Sequence, residues 1–128
     1  MRYNEVFIMK KVNTTIKNHK NFVREAQIAA NTQHDNLIKC YDFEVKKDSV
    51  SVIMEYYPNT LKDFLNNAIY PLSKQNICAI IYMISKALQE LHSLNIVHRN
   101  LNPSNIVLAD NNIIKVKSFC YCSIENKP

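Results

Sequence analysis

Residues 95–108 read NIVHRNLNPSNIVL. This stretch joins two kinds of element. Before it, Ile77, Ile81, Ile84, Leu88 and Leu91 fall at helical spacing within Asn76 to His92, with Ile80 and Ala87 alongside. That pattern predicts a buried core helix, and Ser73 is well placed to cap it. After it, Ile106 to Leu108 and Ile113 to Val116 are short apolar runs around Ala109-Asp110-Asn111-Asn112. The turn-rich tetrad predicts a hairpin. Polar and basic groups therefore sit in a short connection between apolar elements, where a group can be held rigidly yet reached from solvent.

Composition bounds the rest. With 128 residues the chain can form one modest domain around a core. Its 47% hydrophobic and 21% charged residues indicate a globular chain. The net charge of +5 comes from 16 basic and 11 acidic residues. The lysines, among them Lys10, Lys11, Lys46, Lys47, Lys115 and Lys117, are scattered and read as a solvated surface. No nucleic-acid partner is expected. The longest apolar run, Ile77 to Ile84, is too short to span a bilayer, and Glu5 and Lys10 interrupt any leader-like start. The expectation is a cytoplasmic chain with no membrane partner. Cys40, Cys78, Cys120 and Cys122 lack zinc-site spacing; the first two read as small core residues. Glycine is absent, where average usage of about 7% would give about nine. Tight turns must then be made by Asn, Asp, Ser or Pro, and no glycine-rich stretch can bring backbone against a phosphate.

Taken in order, Val6 to Val12 (VFIMKKV) predicts a strand with Val6, Ile8 and Lys10 on one face. Asn21 to Thr32 predicts a helix through Phe22, Ala26, Ala29 and Ala30. Leu37 to Val45 and Val50 to Glu55 predict a hairpin around Lys46-Lys47-Asp48-Ser49. Thr60-Leu61-Lys62-Asp63 carries the capping-box pattern for a short helix ending at Asn67.

The organising stretch resembles the catalytic loop of eukaryotic protein kinases, written H-R-D-L-K-P-x-N. His98, Arg99, Leu101, Pro103, Ser104 and Asn105 match, while Asn100 stands at the aspartate and Asn102 at the lysine. The likeness runs in kinase order from Val6 to Cys120. VFIMK resembles the strand V-A-I-K, which puts Lys10 at the ATP-contacting lysine. Glu25 falls at the helix glutamate that pairs with it, and His34-Asp35-Asn36-Leu37-Ile38 resembles the segment after that helix. SVIMEYYP resembles the strand entering the hinge: Met54 would be the gatekeeper, and the backbone of Glu55, Tyr56 and Tyr57 would meet adenine. Lys117-Ser118-Phe119-Cys120 stands where kinases carry D-F-G, with only the phenylalanine retained.

The resemblance implies an α+β, partial protein-kinase-like fold over 1–128. Residues of about 1–55 would supply an incomplete antiparallel N-lobe sheet with one helix, lacking the Gly-rich loop. Residues of about 56–128 would supply the first helices and catalytic-loop hairpin of a mostly helical C-lobe, lacking the activation segment and the later helices. The P-x-N match leans to the Ser/Thr branch.

Kinase phosphoryl transfer is mostly positioning and electrostatics. Asn100 has no charge or basic oxygen, and general-base loss costs roughly 10²- to 10⁴-fold. Ser118 offers one neutral oxygen, a poor ligand for Mg²⁺. Asn102 cannot neutralise a phosphoryl group. No catalytic set is intact at Asn100, Asn102 and Ser118. Lys10, Glu25, Met54, Glu55, Tyr56 and Asn105 remain as a weak ATP site, with Asn105 as the one weak metal candidate. His98 reads as a structural histidine. The expected function is a kinase-like module without phosphotransferase activity, acting on another protein through exposed apolar surface on the helix of Asn76 to His92. Two alternatives stand beside it: a weak ATP-binding Ser/Thr kinase-like protein, and a non-functional product of a truncated kinase gene.

Overall fold

The computed structural model describes residues 6–69, 71–98 and 101–117, and the backbone of 122–124. Strand β1 (Phe7–Asn13) is followed by helix α1 (His19–Asn31) and the hairpin β2 (Cys40–Lys46) and β3 (Ser49–Glu55). The three strands form an antiparallel sheet in the order β1-β3-β2. Then come α2 (Leu61–Asn67), α3 (Lys74–Ser93), β4 (Ile96–His98), β5 (Ile106–Leu108), β6 (Ile114–Val116) and β7 (Cys122–Ile124). β4 pairs with β7, and β5 with β6.

Period-two alternation builds the sheet. Across β1 and β3, Ile8 lies opposite Met54, Lys10 opposite Val52, and Val12 opposite Val50. Val50, Val52 and Met54 are buried, whereas Phe7 and Met9 on the other face are exposed. Helix α1 lies on the buried face and contributes Ala26, fully buried, with Phe22, Val23 and Ala29 packed around it. This first core also takes Val107 from β5. A second core gathers Leu61, Ala87, Leu91, Ile96, Ile106, Ile114 and Val116, and takes Leu37 from the end of α1's connection. Each core thus borrows a residue from the other half of the chain. Full burial of a side chain such as Leu91 or Val52 contributes about 1.5–3 kcal/mol.

Local signals behave as their chemistry requires. Thr60 and Asp63 form a reciprocal capping box, with Asp63 N–H donating to Thr60 Oγ1 at 3.1 Å and Thr60 N–H to Asp63 Oδ2 at 3.0 Å. Both bonds to Thr60 hold the Asp63 carboxyl below its ordinary pKa. Ser73 caps α3 by accepting the Asn76 N–H at 3.1 Å. Without glycine, left-handed backbone falls to asparagine: Asn95, Asn111 and Asn112 all have φ of 61°.

Three expectations are corrected. Ile77 and Ile81 are 42% and 57% exposed, so α3 is not buried along the face they define. Its covered face runs through Ile80, Ile84, Ala87 and Leu91, because β4 and β6 pack along that side. Cys78 is exposed on α3, while Cys40 is buried as expected. Lys115 is not a surface lysine: its side chain is 17% exposed and ion-paired. Among the described residues no helix is long and apolar enough to cross a membrane.

Candidate functional site

The candidate site lies where the open end of the β1–β3 face meets the end of β3 and the residues before β5. Met54, on β3, is 8% exposed and belongs to the first core with Val52 and Val107. Ile8, its partner across the ladder, is 39% exposed. Lys10 is half-buried two residues further along the same face. Glu25 is half-buried on α1, next to the fully buried Ala26.

Beyond Met54 the chain leaves the sheet through Glu55, Tyr56 and Tyr57. Glu55 N–H donates to the Lys39 carbonyl at 3.0 Å, and Tyr56 N–H to the Val6 carbonyl at 3.1 Å. The Tyr56 amide is therefore spent inside the sheet. The Glu55 side chain is spent as well. Its Oε1 accepts from Lys39 N–H at 2.9 Å and from Lys115 Nζ at 2.6 Å, and its Oε2 accepts from the Tyr57 hydroxyl at 3.0 Å. Nothing in the sequence signals this network, because its partners Lys39 and Lys115 lie 16 and 60 residues from Glu55 and Lys115 reads as one lysine among many. Burial, and after it the negative charge of Glu55, push the Cys40 thiol up to about 11.

The polar connection is held from both ends. Asn102 Oδ1 accepts the Ser104 N–H at 2.8 Å and starts the 3₁₀ turn Pro103–Asn105. Asn105 is 9% exposed. Its N–H donates to the Asn102 carbonyl at 2.9 Å, and its carbonyl accepts the Lys117 N–H at 2.9 Å. His98 Nε2 sits 2.6 Å from the Lys117 carbonyl, where it donates as a structural bond. Asn105 is thus fixed beside the residue that precedes Ser118. Asn100 and Ser118 lie outside the described residues.

The arrangement divides chemically into two ends. At one end Ile8 lies opposite Met54 across the β1–β3 ladder, with Lys10 on the same strand face. The other end supplies neutral amides, of which Asn102 is turned onto its own turn. Among the described residues no group of three or more His, Cys, Asp or Glu is placed to hold a metal ion. A cavity of about 280 Å³ lies elsewhere, between α2, α3 and the β5–β6 turn, against Phe64, Ile80, Met83, Leu108 and Ile114.

Comparison with known proteins bears on the fold and the family. The sequence profile of the protein kinase domain matches residues 1–128. The Aurora kinase of Saccharomyces cerevisiae is 36% identical over 109 residues, 85% of this chain and 29% of that protein. The serine/threonine-protein kinase PrkC of Bacillus subtilis is 35% identical over 101 residues, 78% of this chain and 15% of that protein. The chain thus spans less than a third of these relatives. A crystal structure of the yeast RNA Pol II CTD kinase CTDK-1 complex superposes with a TM-score of 0.73 at 22% identity, covering 94% of this chain and 40% of that one. The α+β architecture is that of part of a kinase, and the chain belongs to the protein kinase domain family.

Proposed function

We propose that this chain is a kinase-fold module without phosphotransferase activity that works through protein contacts. The observation that carries the reading is a loss of charge. Asn100, Asn102 and Ser118 are neutral where the kinase pattern has Asp, Lys and Asp. Positioned charge supplies most of the rate in phosphoryl transfer. A single neutral substitution can be compensated, but here three fall on one reaction. The contact surface in this reading is the exposed apolar side of α3, where Ile77, Ile81 and Tyr82 are 42%, 57% and 62% exposed.

A second reading, weak ATP binding, is favoured by the Ile8–Met54 pair across the β1–β3 ladder with Lys10 on the same strand face. In that reading adenine would lie against the apolar pair and Lys10, with Glu25 as its counter-charge, would face the phosphates. The neutral Asn100, Asn102 and Ser118 fit Mg²⁺ poorly, so any binding would depend little on the metal.

The test is a phosphate-transfer assay on the purified chain with ATP and Mg²⁺, run beside a thermal melt with and without each. We expect transfer at the no-enzyme background and an ATP shift, if present, that Mg²⁺ leaves unchanged. Transfer above background that disappears in Lys10→Ala would overturn the reading. The contact surface is tested separately by Ile81→Asp, which should abolish complexes seen by light scattering without lowering the melt.

A further inference from the structure

The Glu55–Lys115 pair does more than satisfy two buried charges. Glu55 ends β3, in the sheet, and Lys115 is the middle residue of β6, in the other half of the chain. Their side chains are 9% and 17% exposed, and Nζ lies 2.6 Å from Oε1. The carboxylate collects three donors from three segments: Lys39 N–H before β2, the Tyr57 hydroxyl after β3, and Lys115 from β6. The ammonium also lies 5.7 Å from the centre of the Tyr57 ring.

The neighbours of Lys115 repeat the connection. The Ile114 carbonyl accepts Asn36 Nδ2–H at 3.0 Å. Val116 N–H donates to the Asn36 carbonyl at 2.9 Å, and the Val116 carbonyl accepts the Ile38 N–H at 3.1 Å. Three consecutive residues of β6 are therefore each tied to the N-terminal half. The covalent crossing after β3 is pinned as well, by Leu108 N–H on the Asn59 carbonyl at 2.9 Å. A rotation of the sheet against the β5–β6 hairpin would pull Lys115 from Glu55 and strand both charges away from water. Such separation is far costlier than breaking a surface pair.

We infer that Glu55 and Lys115 form a strut that holds the cleft between the sheet and the β5–β6 hairpin at one opening. The two side chains act as positioning groups, because their bonds fix the backbone at Glu55 and Tyr57. The strut works whether or not a nucleotide binds, so its test is separate from that of the proposed function.

The experiment is a pulsed electron-spin distance measurement on the full chain. One nitroxide goes on the exposed Cys78 of α3, the other on Lys47→Cys at the β2–β3 turn, with Cys120→Ser and Cys122→Ser removing other thiols. Cys40, only 3% exposed, stays unlabelled. The parent should give one narrow distance distribution. Lys115→Met should widen it at least twofold while circular dichroism and a cooperative melt show the fold retained, and Lys115→Arg should restore the narrow one. Should Lys115→Met not fold, the double variant Glu55→Leu/Lys115→Met removes both charges together and decides in its place, again by a broad distribution. An unchanged narrow distribution in either folded variant overturns the strut.

Discussion

Asn36 and Ile114, 78 residues apart in sequence, share a buried hydrogen bond: Asn36 Nδ2–H donates to the Ile114 carbonyl at 3.0 Å. Asn36 is 8% exposed, and its backbone carbonyl takes the Val116 N–H at 2.9 Å. One residue thus holds β6 by both its side chain and its main chain. Asn36→Ala removes the side-chain donor and leaves a buried carbonyl without it. We expect a loss of about 1–3 kcal/mol and a melting temperature several degrees lower. Urea unfolding measures this directly, and a change under about 0.5 kcal/mol would mean the bond adds nothing net.

Cys40 gives a pH dependence of definite sign. Burial, and then the Glu55 charge, raise its thiol from 9.0 to about 11 in the folded chain. Below pH 9 the thiol is protonated in both states and this stabilising contribution is complete. Between pH 9 and about 11 the unfolded chain releases its proton while the folded one keeps it. Stability therefore falls with rising pH in that window, by about 2–3 kcal/mol from this group. Unfolding free energies at pH 8 and pH 11 should differ less in Cys40→Ala than in the parent, and equal differences would remove Cys40 from the account.

Asn102 stands at the kinase lysine position but has taken up a local structural bond. Its Oδ1 accepts the Ser104 N–H at 2.8 Å on the exposed side of the turn. Asn102→Lys loses that acceptor, and water can replace it, so the cost should be about 0.5–1 kcal/mol. Restoring this one charge should leave phosphate transfer at background, because Asn100 and Ser118 are still neutral. A thermal melt and a transfer assay on the same variant check both halves of the prediction.

Much of this architecture is readable before any coordinates. α2, Leu61–Asn67, follows from the Thr60–Asp63 capping pattern, since a cap is a local chemical signal. β5 follows from a short apolar run before a turn-rich tetrad. What escapes is whatever depends on partners distant in sequence. β4 and β7 have three residues each and pair Ile96 with Ile124, too short to carry a period. The periodicity of α3 identifies an apolar side, yet it cannot say that β4 and β6 cover Ala87 and Leu91 and leave Ile81 exposed. The candidate site divides in the same way. Motif order nominates Lys10, Met54 and Asn105 as candidates, whereas the burial of Lys115 against Glu55 needs the fold, because strand alternation alone leaves a lysine's face open.

The absence of glycine makes Asn95 a sensitive position. It follows α3 with φ of 61°, and its N–H closes the helix end on the His92 carbonyl at 3.0 Å. Asparagine tolerates this left-handed backbone because its short polar side chain can bond locally, whereas a Cβ-bearing apolar residue meets the following carbonyl oxygen. Asn95→Ala should cost about 1 kcal/mol, and Asn95→Gly should cost nothing or add a few tenths. The same pair of substitutions at Asn111, also at φ of 61°, should rank in the same order. Because Asn95 lies just before β4, a frayed helix end would also loosen His98, whose bond to the Lys117 carbonyl holds the polar connection in place. Hydrogen exchange at Ile96 and Val97 should accordingly quicken in Asn95→Ala and not in Asn95→Gly. Equal stability and equal exchange in the two variants would show that the left-handed backbone at this position carries no strain.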